Sequence, residues 1–401
     1  MRSLSPSLLI LAVSSQIIAG CACPPGSQCI DRPADPVASH ENQALVSRLA
    51  EQSTERWAPA DLTLDWSQSV LAWGFLRAHA NVPDAGHDTF GTAWIEGALP
   101  DFTGDDPRTF NSSDSMSPTS VASSLMADDP SRDYTLITDA ANLYLDEVPR
   151  TADGAIPHWG PEHPLFGDTL QVWVDSQFMV GMTWLQEYRR TGDASYLDDW
   201  VEQYRLFSDL CRDPDDQLYR HAWDDVAEEN IPPEAVYWNR GNSWVLISAA
   251  EFLRLAPGHA DAGEIELLFR AHLDATLALQ RDDGLFWTVL NAPFGNDARN
   301  YPETSGSALI GYSIAAGIRA NILPIEAYGA PLSRIVRGVR DLLWEEDDRL
   351  MLQGTSFGTN PGDYDNYVNT AVLPDQIVGV GATLMLLSES QGLPDPLEEA
   401  Q

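Results

Sequence analysis

One carboxylate lies in an otherwise apolar stretch of the chain, which runs from Trp173 to Leu185. The stretch predicts a long helix over 167–190 that is apolar almost all round and therefore buried, with Asp175 near its N-terminal end. A buried carboxylate without a partner is costly, so such a group is usually paired, protonated or functional. Asp175 is therefore a candidate for proton transfer. The alternative is a structural Asp that the helix dipole favours at a helix start.

A cation between two indoles is the second candidate. Arg240 lies between Trp238 and Trp244, at the mouth of an apolar stretch that predicts a helix. The planar guanidinium matches the geometry of a carboxylate, so the three side chains predict a clamp for a planar acid. An ion pair between Arg240 and Asp224, or another nearby acid, is the alternative.

Further polar and aromatic residues occur at corresponding places in successive parts of the chain. Aromatic rings pack against apolar faces and carboxylates transfer protons, a combination typical of sugar sites. Each residue has an alternative: core packing for the Trp residues, helix capping for Asp114 and a structural role for His158. The dense aromatic and acidic segment around His221 favours function. The groups are Trp66-Ser67-Gln68 with Trp73, Asn111-Ser112-Ser113-Asp114, His158-Trp159, His221-Ala222-Trp223-Asp224 and Pro302-Glu303-Thr304-Ser305-Gly306-Ser307.

Several other kinds of site are excluded by their missing motifs. Ser305 has no G-x-S-x-G context, which argues against a serine nucleophile of that type. The His residues lack the H-E-x-x-H spacing of a zinc site, and no glycine loop for phosphate is present. The sequence therefore predicts no metal and no cofactor.

The elements that must position these residues follow a repeat. A short acidic turn followed by apolar residues recurs at Asp88, Asp153, Asp216, Asp283 and Asp348, at spacings of 65, 63, 67 and 65 residues. A period of this length fits two helices and two loops. Apolar residues at three- and four-residue spacing predict helices over 65–80, 134–145, 167–190, 196–211, 241–255, 264–280, 304–320, 332–344 and 374–388.

The repeat predicts an all-α fold with six helical hairpins over residues 41–395. Six hairpins either stack as an open solenoid or close into a ring. No polar terminal cap is visible, which favours closure into an (α/α)6 toroid. The inner helices would be the most apolar ones, including 167–190, 241–255 and 304–320, and a cleft at one end would collect helix starts and loops.

The composition is strongly acidic. All 23 basic residues are Arg, against 60 Asp and Glu, and the formal net charge is -37. This balance excludes a nucleic-acid partner, which needs a cationic surface. Salt screens the repulsion of an anionic substrate beyond about 8 Å, so a pocket that itself holds Arg and His can still bind an acid.

The N-terminus predicts export. Residues 1–20 have the length of a signal peptide, and Ile18-Ala19-Gly20-Cys21 resembles a bacterial lipobox, in which the Cys is lipidated. Residues 21–40 form a Pro-rich tether, and 41–401 form a single catalytic domain. We expect a lipid on Cys21 to anchor the protein to the bacterial envelope and to provide its membrane contact. A simple cleaved signal is the alternative.

An ordered set of motifs from about residue 57 to 390 resembles glycoside hydrolase family 105, the family of unsaturated rhamnogalacturonyl hydrolases and related unsaturated glucuronyl hydrolases. Ser69 departs from the family's usual Gly, as do Asn239 and Ser243, which leaves the substrate open. The motifs are Trp66-Ser67-Gln68-Ser69-Val70 with Trp73-Gly74, Trp173-Val174-Asp175 with Phe178-Met179, His221-Ala222-Trp223-Asp224, Trp238 to Trp244, Glu303-Thr304-Ser305, and Asp375 to Gly381.

The resemblance implies an (α/α)6 barrel that removes a Δ4,5-unsaturated uronic acid from the non-reducing end of lyase-generated oligosaccharides by hydrating the C4=C5 vinyl ether. It implies Asp175 as the proton donor and water activator, with Asp114 as its carboxylate partner. The pKa of Asp175 should be raised by burial and a nearby like charge. The resemblance implies no cofactor. Residues expected to bind the sugar are His221, Arg240, Trp244, Trp238, His158 and Trp73.

Two other classes of function remain open at this point. One is another (α/α)6 carbohydrate enzyme, either an inverting glycosidase or a polysaccharide lyase. The other is a non-catalytic glycan-binding lipoprotein. The substrate sugar is also open, between a galacturonyl-rhamnose unit from pectin and a glucuronyl sugar from ulvan or another polymer.

Overall fold

The computed structural model describes residues 39–82, 87–103, 107–159, 169–291 and 297–398. The helices are α1 (Gln43–Arg56), α2 (Trp66–Asn81), α3 (Asp88–Ala98), α4 (Ser113–Met116), α5 (Pro118–Asp128), α6 (Thr135–Glu147), α7 (Ser176–Met179), α8 (Gly181–Thr191), α9 (Ser195–Cys211), α10 (Asn239–Leu255), α11 (Ala262–Leu277), α12 (Thr304–Arg319), α13 (Ile325–Asp341), α14 (Tyr364–Asn369) and α15 (Ile377–Ser390). Short 3-10 turns cover Pro59–Asp61 and Leu99–Phe102.

Six of these helices form an inner ring. Each of α2, α5, α8, α10, α12 and α15 packs on the next, and α15 closes the ring against α2. The outer layer consists of α1, α3, α6, α9, α11 and α13, each of which packs on an inner helix next to it in the chain. The protein is therefore an (α/α)6 barrel, which confirms the predicted fold class. Within the part of the chain that the structure describes, no helix is long and apolar enough to cross a membrane.

The inner helices are close-packed because small residues allow it. A Cβ added at Gly74 would lie 2.8 Å from the carbonyl oxygen of Gly381, and one at Gly381 would lie 2.6 Å from the backbone of Leu71. Distances this short have no room for a side chain, so the α2–α15 contact that closes the ring requires both glycines.

Short strands connect the helices at one end of the barrel. Strands β1 (Gln171–Trp173), β2 (Ala222–Asp224) and β3 (Glu229–Ile231) form an antiparallel sheet in which Trp173 pairs with Ala222. Strands β4 (Leu343–Glu346) and β5 (Arg349–Leu352) form a hairpin, and β6 (Thr355–Ser356) pairs with β7 (Val372–Leu373). The first and third sheets carry residues of the site described below.

Most predicted helices are present, but three predictions are wrong. The segment 167–190 is not one helix: residues 167 and 168 lie outside the described residues, 171–173 form β1, and the helix breaks at Val180 between α7 and α8. Asp88 begins α3 instead of a turn, and 332–344 ends as a helix at Asp341, because Trp344 lies in β4. Apolar runs such as Val172-Trp173-Val174 fit a buried strand as well as a helix.

The remaining acidic turns have the expected geometry. Gly154 and Gly284 have φ values of 94° and 83°, and Gln217 and Asp348 also have positive φ, at 60° and 64°. These are left-handed conformations in which a chain reverses direction. Four of the five turns therefore lie between elements, as the repeat predicted.

Candidate active site

A cavity of about 380 Å³ lies at the end of the barrel where the inner helices α2 and α10 begin. Its lining combines three carboxylates, two guanidinium groups and four indoles with an imidazole. The lining side chains that matter here are Asp65, Asp114, Asp175, Arg108, Arg240, Trp66, Trp159, Trp173, Trp238 and His158. This is the combination of aromatic and acidic groups that the sequence predicted at helix starts.

Asp175 lies at the position just before α7 and is 8% exposed. Its carboxylate accepts a hydrogen bond from His221 Nε2 at 3.1 Å. The sheet fixes this pair, because the backbone N–H of Val174 donates to the carbonyl oxygen of His221. The other ring nitrogen of His221 lies 3.1 Å from the hydroxyl of Tyr367, and the ring stacks on Trp238 with 4.2 Å between centroids.

The charge state of this pair differs from the one predicted. Burial opposes ionisation of Asp175, yet His221, His158 and Arg240 together hold the pKa of its carboxyl below the ordinary value. Burial in turn lowers the pKa of His221, against the attraction of Asp175. The prediction that the pKa of Asp175 is raised is therefore wrong for the unliganded protein, because nearby cationic and hydrogen-bonding groups outweigh desolvation.

Asp114 belongs to a second acid–imidazole pair. Ser112 caps α4 through a reciprocal capping box with Ser115, which places Asp114 in the first turn. Its carboxylate lies 3.5 Å from His158 Nε2. The Nδ1 atom of His158 lies 2.6 Å from Ser113 Oγ. Asp114 thus lies beside His158 and Asp175 beside His221, and both carboxylates line the same cavity; the role of Asp114 as the partner of Asp175 stays a prediction.

The two pairs meet through aromatic stacking. The His158 ring stacks on Trp173 with 4.2 Å between centroids and a 6° angle between planes. Trp173 in turn contacts the edge of His221, with 5.5 Å between centroids. Because Trp173 is the last residue of β1, the strand that precedes Asp175 also sets the spacing of both imidazoles.

Arg240 is buried and bound to the protein. Its Nη1 lies 3.3 Å from Glu303 Oε1, and Nη1 also donates to Ser356 Oγ at 2.7 Å. Nη2 donates to the carbonyl oxygen of Phe357 at 2.8 Å and to Thr359. The acid that pairs with Arg240 is therefore Glu303 and not Asp224. Arg240 still lines the cavity, and its Nε has no hydrogen-bond partner among the described residues.

Two predicted sugar-binding indoles lie in the core. Trp73 is fully buried and its Nε1 donates to Ser120 Oγ at 3.0 Å. Trp244 is also fully buried and contacts Trp66 edge-on, with 6.5 Å between centroids. Neither residue is part of the cavity lining, so Trp73 and Trp244 are corrected to structural residues. Trp238 and His158 do line the cavity, and His221 contacts it through Asp175.

Comparison with known proteins gives the family. The sequence profile of glycosyl hydrolase family 88 matches residues 37–393, which is most of the chain. The chain belongs to glycosyl hydrolase family 88. It is therefore a glycoside hydrolase, as the sequence predicted.

Individual relatives agree with this family. The unsaturated rhamnogalacturonyl hydrolase YesR of Bacillus subtilis (strain 168) is 26% identical over 269 residues, which cover 67% of this chain and 74% of that protein. The solved structure of a family 105 glycoside hydrolase from C. acetobutylicum ATCC 824 has a TM-score of 0.75 at 19% identity, covering 86% of this chain and 98% of that one. The unsaturated glucuronyl hydrolase of Bacillus sp. GL1 has a TM-score of 0.65 at 14% identity, covering 86% and 95%. The two structures show a shared fold.

Two residues of the cavity lining, Arg108 and Asp65, and one residue behind it, Tyr367, were not predicted from the sequence. Arg108 lines the cavity with a side chain that is 30% exposed, and one of its nitrogens donates to the carbonyl oxygen of Leu64 at 2.9 Å. Asp65 precedes α2, and burial followed by repulsion from Asp114 raises the pKa of its carboxyl. Tyr367 reaches His221 from α14. Asp65 could have been predicted, because it directly precedes a predicted helix whose start lies at the cavity. Tyr367 could not, because 146 residues separate it from His221 in the sequence.

The same cavity offers no built metal site. Among the described residues, no group of three or more His, Cys, Asp or Glu side chains has an arrangement that could hold a metal ion. The chemistry of these residues is that of proton transfer and of hydrogen bonding to an acidic sugar.

Proposed function

We propose that this family 88 hydrolase removes a Δ4,5-unsaturated uronic acid from the non-reducing end of oligosaccharides by hydrating the C4=C5 vinyl ether. The observation that carries the proposal is Asp175: a buried carboxylate, hydrogen-bonded to a buried imidazole, in a cavity with indole walls and an available guanidinium. The relatives' names agree with this substrate class.

The proposed reaction starts with transfer of a proton from Asp175 to C4. Water then adds to C5, and the proton that it loses returns to the Asp175 carboxylate. C5 now carries a hydroxyl and the ring oxygen. This hemiketal opens to a ketone at C5, and the hemiacetal left at C1 releases the neighbouring sugar as an alcohol. One water is consumed and Asp175 is restored, so a single carboxyl group suffices.

Protonation of Asp175 then depends on the substrate. In the unliganded protein the pKa of Asp175 is lowered, so the carboxylate form dominates at neutral pH. The bound sugar brings its own carboxylate and displaces water from a cavity that Asp114 and Asp65 also line. Added negative charge and lost solvation both raise a carboxyl pKa. Substrate binding thus supplies the shift that the free protein lacks.

Binding of the sugar carboxylate is assigned to the nitrogen donors of the cavity. Arg240 Nε and Trp238 Nε1 are buried N–H groups without a hydrogen-bond partner among the described residues. Leaving such a donor unpaired costs about 1–3 kcal/mol, which a ligand oxygen recovers. Arg108 adds a positive charge that is only partly engaged. Trp66 provides an aromatic wall for the sugar ring.

Export and lipid anchoring remain part of the proposal. The signal peptide over 1–20, Cys21 and most of the 21–40 tether lie outside the described residues. The sequence pattern at Ile18-Ala19-Gly20-Cys21 supports a lipoprotein of the bacterial envelope, where oligosaccharides released from external polymers would be met. Globomycin treatment of expressing cells would retain the signal peptide if this proposal holds, and would have no effect on a simple cleaved signal.

The test is the ultraviolet absorbance of unsaturated uronyl disaccharides. The wild-type protein should bleach it, and Asp175→Asn should slow bleaching by about a hundredfold or more. Asp224→Asn is the matched control, because Asp224 lies on β2 near His221 but caps a turn at Val226. Equal rates for wild type and Asp175→Asn would overturn the assignment. Growing absorbance with intact polyuronate would instead identify a lyase.

The linkage is decided by a panel of digests. Disaccharides from pectin, ulvan and glycosaminoglycan lyases, tested with the wild-type protein, separate an unsaturated galacturonyl from an unsaturated glucuronyl substrate.

A further inference from the structure

The hydroxyl of Tyr367 is the start of a buried hydrogen-bond chain that ends at Asp175. Tyr367 is fully buried on α14, and its oxygen accepts from the backbone N–H of Gly362 at 3.3 Å. It lies 3.1 Å from His221 Nδ1. His221 Nε2 lies 3.1 Å from Asp175 Oδ2. The chain therefore runs Gly362, Tyr367, His221, Asp175.

Donor and acceptor counting fixes the direction of this chain. Since Gly362 donates to the Tyr367 oxygen, the Tyr367 O–H is free to donate, and the acceptor within reach is His221 Nδ1. Nδ1 then carries no proton, and the proton of neutral His221 lies on Nε2, where it donates to the Asp175 carboxylate. Every group in the chain is satisfied in this one arrangement.

Protonation of His221 would break the chain. An imidazolium carries a proton on Nδ1, which would point at the Tyr367 oxygen together with the Gly362 N–H. The Tyr367 O–H would then have no acceptor among the described residues. A buried donor without an acceptor is unfavourable, so this arrangement disfavours the imidazolium. Arg240 and His158, the other charged or titratable groups that act on His221 besides Asp175, also oppose a second positive charge.

We propose that Tyr367 is a positioning residue that keeps His221 neutral and protonated on Nε2, so that a proton entering the pair resides on Asp175. One proton shared by Asp175 and His221 has two locations: a neutral acid beside a neutral imidazole, or a carboxylate beside an imidazolium. Only the first can protonate an alkene. Tyr367 selects it without touching the substrate.

This inference rests on the proposed function for its kinetic test, which is the pH profile of Tyr367→Phe. Without the hydroxyl the imidazolium form becomes accessible, and at acidic pH it competes for the proton that Asp175 needs. At alkaline pH neither form is populated much, and the competition disappears. We expect kcat/KM to fall about tenfold at the acidic end, if loss of the hydroxyl makes the imidazolium form about ten times as populated as the neutral pair, and to approach the wild-type value at the alkaline end. KM should change little.

Tyr219→Phe is the matched control. Tyr219 is equally buried, two residues from His221, but its hydroxyl lies 2.8 Å from Ser208 Oγ and outside the chain. A purely structural loss would reduce the rate of either variant by the same factor at every pH. A pH-independent loss in Tyr367→Phe, or no loss at any pH, would overturn the proposal.

A second measurement is independent of activity. In wild-type protein labelled with ¹⁵N-histidine, the nitrogen shifts of His221, assigned with His221→Gln, should show a protonated Nε2 and an unprotonated Nδ1. A proton on Nδ1 at neutral pH would refute the proposal even if the enzyme acts as proposed. Failure of the proposed function alone would abolish turnover and leave this spectrum unchanged.

Discussion

Glu303→Gln should destabilise the protein far more than loss of an ordinary salt bridge. Glu303 and Arg240 are both buried, at 0% and 1% exposure. Two donors surround each end of the carboxylate: Oε1 accepts from the Ser356 N–H and from Arg240, while Oε2 accepts from the Gly306 N–H and from Ser305. A glutamine amide replaces one oxygen by a donor. At least one backbone N–H or hydroxyl then loses its acceptor.

The magnitude follows from two costs. Breaking a buried ion pair by removing one partner costs about 3–5 kcal/mol, because the remaining charge is left uncompensated. An exposed pair is worth about 0–1 kcal/mol. Glu264 provides this comparison, because it pairs with Arg205 but its side chain is 48% exposed. We expect Glu303→Gln to lower the free energy of unfolding by about 3–5 kcal/mol and Glu264→Gln by less than about 1 kcal/mol.

Urea unfolding followed by tryptophan fluorescence measures both variants. Glu303 also caps α12 and holds the backbone N–H of Ser356, so the same variant should release the segment that lines the cavity next to Arg240. A loss of stability for Glu303→Gln no larger than that for Glu264→Gln would refute the reasoning. It would mean that Arg240 keeps its charge at little cost, through its bonds to Ser356, Phe357 and Thr359 alone.

Three further outcomes follow from the cavity. Arg108→Gln should raise the KM for an unsaturated uronate about tenfold, which is the effect of losing one charge-assisted hydrogen bond, and should change the KM for the neutral methyl ester little. Arg48 is an exposed arginine paired with Glu345, so Arg48→Gln should leave both KM values unchanged. The alkaline limb of kcat should lie at higher pH than the alkaline limb of kcat/KM. The kcat profile reports the pKa of Asp175 in the substrate complex, and the kcat/KM profile reports it in the free protein, where it is lowered. Coincident limbs would show that the substrate does not raise the pKa of Asp175. Trp238→Phe should raise KM, while Trp73→Phe should lower stability and leave KM unchanged, as steady-state kinetics and thermal unfolding would show.

The repeat in the sequence predicted the barrel because its turns have a chemical signature. Asp-Gly at 153–154 and 283–284 adopts the left-handed backbone that a reversal needs, and the regular spacing of these turns implied six hairpins. Helix α5 was not predicted, because its sequence has no helical pattern of apolar residues. Its sequence, Pro118 to Asp128, carries four hydroxyl residues among its buried positions, so it shows no apolar stripe. Burial of small polar residues against neighbouring helices is a tertiary property that periodicity does not detect.

The site was predictable as a set of residue types but not as a set of pairs. Asp175, Asp114, His221 and His158 all lie at the cavity or bind a residue of its lining. Their partners were not predictable, since 46 residues separate Asp175 from His221 and the sheet that joins them consists of three-residue strands. Strands this short have too few residues for alternation to identify them.

The position of each indole along its helix explains why Trp73 and Trp244 were wrongly predicted to bind the sugar. Trp66 and Trp73 share a face of α2, but seven residues advance about 10.5 Å along the axis, so Trp66 lines the cavity and Trp73 is buried in the core. Depth also separates two indoles at α10, where Trp238 precedes the first turn and Trp244, six residues later, lies inside the helix. A spacing of seven indicates a common face and carries no information about which end of the barrel a residue reaches.

The position of the cavity also resolves the apparent conflict between an acidic protein and an acidic substrate. A net charge of -37 repels an anion at long range, but that field is screened within about 8 Å at physiological ionic strength. Inside the cavity the relevant charges are local. Arg240 is balanced by Glu303, and Asp114 and Asp175 each lie beside an imidazole. Arg108 lies 3.9 Å from Asp101, and the pKa of Asp65 is raised by burial and by repulsion from Asp114, so Asp65 is a carboxyl that can take up a proton. A uronate that enters can thus be compensated by protonation of a cavity carboxyl. Asp175 needs a proton of its own for the proposed reaction, and the carboxylate of the bound sugar favours it by raising the pKa of Asp175 from its lowered value.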